Sequence, residues 1–251
     1  MGKLALSKML ERSLGRARVL MSVFGLMAVA TVSSTVSAAS AAVAASPAQE
    51  VASALNAGLG QHSVRWASTE SGNGVTVAII SDVGEASGSQ IITWTQGADE
   101  GTLSVVLLKD TAYLIGDAAG LYVQGFTTSA ATAQANKWIS VKPSSAAYAS
   151  AAAGLTISSA LDPLRMSGPV TVVRGTKVLG VTTRGFKGTS KAFAGQPGTA
   201  EELYLRSSGS GLPVEVVQRD TTTVFDKWGE PIRVTAPLGA IPIEASWLRA
   251  K

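Results

Sequence analysis

The sequence predicts an α+β fold in which helices cover one side of an antiparallel sheet. Three observations carry this. Residues 61–125 break into short apolar runs separated by glycine-marked turns. Residues 127–164 become alanine-rich and helical, and strand-like runs return after Pro169. Strands joined by such short connections pair with their neighbours in the chain, as antiparallel meanders do.

The first element of the domain is a helix over SPAQEVASALNAGLG (46–60). Ser46 caps it, Pro47 suits its first turn, and Val51, Leu55 and Leu59 recur at a spacing of four. HSVRWASTE, VTVAIISDV, GSQIITWTQ, GTLSVVLLKD, TAYLIGD and GLYVQG then read as six strands. No proline falls between Pro47 and Pro143, which leaves the ladders uninterrupted. VAII and VVLL are apolar on both faces, so a cover is expected on each side of this sheet.

KWISVKP (137–143) reads as extended, and SSAAYASAAAGLTISSALDPL (144–164) as a helix with Tyr148, Ala152, Leu155, Ser159 and Leu161 turned inward. Alanine makes this cover thin and leaves room beneath it. PVTVVRGTKVLGVTTRGFKGTS, AEELYLRSS, LPVEVVQRD, TTTVFDK and EPIRVTAP form the second strand set. Within it, VFDKWGEPIRVTAP (224–237) reads as a hairpin with Trp228 plugging its corner. SSGSGLP (207–213) precedes a strand rather than a helix, so it is a loop and not a phosphate cradle.

Charge divides the chain in two. Of 21 Lys and Arg against 17 Asp and Glu, residues 1–45 hold Lys3, Lys8, Arg12, Arg16 and Arg18 against Glu11 alone. The remainder is neutral, which excludes a nucleic-acid footprint. The basic start, the apolar run Val19–Val32 and the small-residue matches Ala39-Ser40-Ala41 and Ala42-Val43-Ala44 read as an export signal cut near residues 41–45. An uncleaved anchor is the alternative. Residues 46–251 are expected to form a single domain.

Catalytic chemistry is hard to assemble from this sequence. It has no cysteine, one histidine (His62) and no G-x-S-x-G elbow. His62 opens a strand and is expected to be exposed. Asp99-Glu100 and Glu201-Glu202 fall in turns or strand starts and read as solvated surface. No catalytic residue, metal site or cofactor is expected. Without cysteine there are no disulfides and no thiol to carry a lipid anchor.

Three stretches resemble one family. KDTAYLIGDAAGLYVQG (109–125) is similar to its central hairpin, NKWISVKPSSAAYASAAAGL (136–155) to the strand leading into its helical cover, and LPVEVVQRD with VFDKWGEPIRVTAP to its terminal strands. These are the actinobacterial envelope proteins of the LppX/LprG type, whose fold is similar to the carriers LolA and LolB. The resemblance spans about residues 48–246. It implies a strongly curved antiparallel half-barrel with helices across its concave side, and an apolar cavity between them that receives acyl chains. Members carry a lipobox cysteine and this chain has none, which points to an exported protein of the envelope or medium that is not lipid-anchored.

A lipid site of this kind needs no polar signature. Each buried acyl methylene is worth about 0.8 kcal/mol, so ten supply about 8 kcal/mol before ordering costs. The expected lining is Val77, Ile79, Ile92, Trp94, Val105, Leu107 and Leu114 from the strands, with Leu155 and Leu161 from the cover. Expected partners are an acyl lipid or lipidated molecule and a transient membrane or membrane-protein contact, with the chain itself a monomer. The competing reading is a non-catalytic envelope module that binds a protein or wall polymer with a filled core.

Overall fold

The computed structural model describes residues 45–191, 198–209 and 211–249. The export signal expected over residues 1–45 lies outside them, apart from Ala45. Helix α1 (Pro47–Leu59) begins where the capping chemistry places it, with Ser46 Oγ accepting from the Gln49 amide and the Gln49 side chain returning to the Ser46 amide. Five strands follow as β1 (Ser63–Gly72), β2 (Val75–Gly84), β3 (Ser87–Gln96), β4 (Asp99–Leu108) and β5 (Thr111–Gly116).

The expected sixth strand is a helix instead, α2 (Ala118–Val123). Asp117 decides this. Its Oδ1 accepts from the Gly120 amide and caps the helix, while its Oδ2 accepts from the Thr102 amide on β4. Gly120 then lies so close to β4 that a Cβ there would stand 2.3 Å from the Thr102 carbonyl oxygen. The glycine serves close packing of helix on strand, not a strand turn.

Helix α3 (Thr128–Gln134) and strand β6 (Ile139–Val141) match the sequence pattern. The long helix expected over 144–164 divides into α4 (Tyr148–Ala152) and α5 (Ile157–Leu161). Gly154 breaks it at φ +73°, and Thr156 starts the next helix with its own capping box. Of the expected inward residues, Leu155, Ser159 and Leu161 are buried, whereas Tyr148 and Ala152 are half-buried. Strands β7 (Met166–Val173), β8 (Lys177–Val178), β9 (Val181–Ser190), β10 (Ala200–Arg206), β11 (Pro213–Gln218), β12 (Thr221–Asp226) and β13 (Ile241–Pro242) complete the chain. Pro169 is tolerated because β7 is an edge strand with an interrupted register there.

The described strands form one curved open sheet in the order β13-β6-β5-β4-β3-β2-β1-β12-β11-β10-β9-β7, with β8 paired to β9. Pairing is antiparallel except between β13 and β6. The two meanders join where β1 meets β12, with Trp66 opposite Phe225 and Ser68 opposite Thr223. The helices lie over the concave face. The opposite face carries Ile80 and Ile91, a cross-strand pair each 52 % exposed, so the cover expected on both sides is met on one.

Residues 231–237 are not the expected return strand. β12 already has β1 on one edge and β11 on the other, so no edge is free for a hairpin partner. The chain turns at Gly229, whose amide donates to the Ser63 carbonyl, and continues as coil to β13 beside β6. Trp228 does plug the corner. Its Nε1 donates to the Pro213 carbonyl at 3.1 Å and its ring stacks 6.1 Å from that of Phe225.

Asp117 therefore holds one helix start and one strand end together. Asp117→Ala is expected to lower the unfolding free energy by about 2 to 3 kcal/mol, from the lost cap and the orphaned Thr102 amide. Urea denaturation with an unchanged slope checks this.

Candidate functional site

Alternation along each strand fixes which side chains share the concave face. One cross-sheet row reads Phe186, Leu203, Val216, Thr223, Ser68, Ile79, Ile92 and Leu103. A second reads Phe225, Trp66, Ser81, Gln90, Val105 and Leu114. A third reads Gln218, Thr221, Glu70, Val77 and Trp94. The first two pass from apolar groups at one side to apolar groups at the other with polar side chains between, while the third begins at the half-buried Gln218 and ends at the apolar Val77 and Trp94.

Burial divides the same way. Ile92, Trp94, Val105, Leu107, Leu114 and Leu155 belong to one close-packed cluster with Leu121, Phe126 and the alanines of the cover, and Val77 and Ile79 pack against its edge. Leu161 belongs to a separate cluster with Leu55, Phe186, Leu203 and Phe225. Eight of the nine expected lining residues are thus brought to one half of the face, and Leu161 to the other. Between the clusters runs a strip along β2, β1 and β12 where Val77, Ile79, Trp66, Glu70, Thr221 and Thr223 stay only half-buried. Cross-strand partners here touch each other, and the helices above are short and alanine-rich.

The strip is polar but largely satisfied. Thr223 Oγ1 donates to Ser68 Oγ at 2.9 Å, and Gln90 Nε2 donates to Ser81 Oγ at 3.0 Å. Trp66 Nε1 is the exception, buried with no acceptor.

Glu201 is the group that sequence reasoning placed wrongly. It is not solvated surface but 2 % exposed, facing inward with Leu203 and Leu205 of the same strand. The alternation Glu201, Leu203, Leu205 was the available signal. Gln218 Nε2 donates to its Oε2 at 2.5 Å, while Oε1 has no partner. Burial pushes its carboxyl up from the ordinary value to about 7, and the Gln218 hydrogen bond opposes this only in part. Its neighbour Glu202 points outward to Lys187 and Tyr204.

Other candidates stay at the surface. His62 is exposed beside Glu85, and Asp99 and Glu100 are exposed. Among the described residues no three acidic or imidazole side chains gather as a metal centre requires, and no helix is long and apolar enough to cross a membrane. A cleft of about 280 Å³ lies beside the Arg65–Asp82 ion pair, lined also by Lys227, Glu230 and Arg233. So many charges suit no acyl chain.

No protein-family model and no curated protein matches the sequence. Solved structures do. The crystal structure of LprF from Mycobacterium bovis is similar to this chain with a TM-score of 0.53 at 15 % identity, over 77 % of this chain and 97 % of that one. The lipoprotein LppX of Mycobacterium tuberculosis matches with a TM-score of 0.46 at 14 % identity, over 75 % and 98 %. The chain has the fold of LprF, which is the curved sheet with helical cover that the sequence resemblance implied.

Glu201 makes a measurable signature. A carboxyl raised in the folded state contributes stability that is complete below the unfolded value and lost as pH rises through about 7. Glu201→Gln is therefore expected to gain on the wild type by about 3 kcal/mol between pH 4.5 and pH 8.5. Urea melts of both proteins at the two pH values check this.

Proposed function

We propose that the chain is an exported, non-catalytic carrier that holds acyl chains of a lipid or lipid-modified molecule between the concave face and its helical cover. The observation that supports this best is the half-buried strip. Val77 and Ile79 pack against the edge of the close-packed first cluster, yet they keep accessible surface. An apolar surface that is sheltered but not filled suits an acyl chain, which needs area rather than hydrogen bonds.

In this reading Val77, Ile79, Ile92, Trp94, Val105, Leu107 and Leu114 form the floor and Leu155 the roof. Leu161 bounds the far side from the second cluster. No disulfide staples the cover, since the chain has no cysteine. α4 and α5 are each five residues long and joined through Gly154, so a bound chain displaces little structure. Residues 1–45 supply export, residues 46–251 act as a monomeric domain, and lipid passes through transient contact with a membrane or membrane protein. No cofactor and no nucleic acid takes part.

The alternative, an envelope module that binds a protein or wall polymer, draws on one observation. Ile80 and Ile91 leave an apolar patch on the convex face.

Protein expressed as residues 46–251 is expected to co-purify with acyl lipid, detected by native mass spectrometry and organic extraction. Preparations that are consistently lipid-free and take up no fluorescent acyl probe reject the carrier and leave the module. Val77→Trp is expected to fill the strip, reducing retained lipid severalfold while the far-ultraviolet circular dichroism is unchanged.

A further inference from the structure

The two indoles nearest the join between β1 and β12 are treated differently by the fold. Trp228 donates its N–H to the Pro213 carbonyl, whereas the Trp66 N–H is buried with no acceptor. Buried tryptophan N–H groups normally find a partner, and an unmet one is costly. Trp66 lies on the concave face between Phe225 and Ser81, at the meeting point of the two apolar clusters.

No hydrogen bond joins it to the polar side chains beside it. The Ser81 and Gln90 side chains are engaged with each other, as are those of Ser68 and Thr223. Above its ring sits Gly154, where a Cβ would stand 3.4 Å from Trp66 Cζ2 and 3.8 Å from Gln90 Nε2. Gly154 has no side chain to offer the edge of the indole that bears the N–H. The position is a donor at the border of an apolar floor, with the backbone of Gly154 beside it.

We propose that the Trp66 indole N–H anchors the carbonyl of an esterified or amide-linked acyl chain whose tail lies over the first cluster. This rests on the carrier reading and adds where the ligand's polar end is held and what kind of end it is. The concave positions of β1, β2 and β12 carry no lysine or arginine, and their one ionisable side chain is the acid Glu70. A free fatty-acid carboxylate would enter without a counter-charge, beside an acid on the same face. A carbonyl is uncharged and accepts without donating, which is what an unmatched N–H requires. The site thus selects neutral acyl esters or amides over free fatty acids.

Two probes of equal length separate the hydrogen bond from the apolar contact: a pyrene-labelled acyl methyl ester and a pyrene-labelled alkane. Trp66→Phe keeps most of the ring and removes the donor. It is expected to weaken ester binding about three- to tenfold, the range of one net hydrogen bond, and to leave alkane binding unchanged. In the wild-type chain of residues 46–251, the indole N–H resonance of Trp66 is expected to move with the ester and not with the alkane. The ester is also expected to bind more tightly than the free acid at pH 8. Equal losses for both probes in Trp66→Phe, no loss for the ester, or an unmoved indole resonance overturns the anchor while the carrier stands. Wild-type protein that takes up neither probe overturns the carrier, and the anchor with it.

Discussion

The pairing of β1 with β12 is the constraint on which everything else depends. These strands lie some 155 residues apart, with Ser68 opposite Thr223 and Trp66 opposite Phe225. Each meander is local and forms from tight turns. Only this long-range ladder makes one sheet of them and sets both apolar sides on the same concave face. A slip of one residue would turn Trp66, Ser68 and Glu70 to the convex side and bring Arg65, Ala67 and Thr69 inward. The Gly229 amide on the Ser63 carbonyl fixes the end of this ladder, and Trp228 ties the same end of β12 to Pro213 on β11.

The same join explains why the interior is not one core. Aliphatic residues fill each meander's half of the face, but the strands at the join contribute Thr221, Thr223, Ser68 and Glu70. Two close-packed clusters therefore face each other across a polar strip. The alanine-rich cover adds little volume above them, since Ala147, Ala151 and Ala153 are small and themselves buried.

How much of this was legible depended on whether the signal was local. The first helix and strands β1 to β5 follow from caps, glycine turns and period-two patterns, and they stand where the sequence puts them. Asp117 looked like the end of a strand because its second role, accepting from the Thr102 amide, lies across the sheet. The stretch 231–237 alternates as a strand should, but alternation cannot reveal that both edges of β12 are taken. Glu201 was misread for a different reason. Its charge suggested surface, although the Leu203 and Leu205 that follow at alternate positions had already assigned it inward. The lining residues were chosen by periodicity, and periodicity was enough to collect eight of them on one half of the face. It could not show that Leu161 belongs to a separate cluster, because that depends on where Gly154 breaks the cover.

Periodicity can assign a polar side chain to the concave face, but it cannot show that the side chain is left without a partner there. Trp66 reads as a core aromatic and Glu201 as a surface acid, yet both present buried atoms without partners. A fold that held only its own side chains would gain by pairing or replacing them, since an apolar group of similar shape avoids the desolvation cost. Both persist, as does the unpartnered Gln96 Oε1 on the same face of β3, which is the pattern expected if polar atoms arrive from outside the chain. The aliphatic floor accounts for why an acyl tail would stay, and these unmatched atoms account for how such a ligand would be oriented once there.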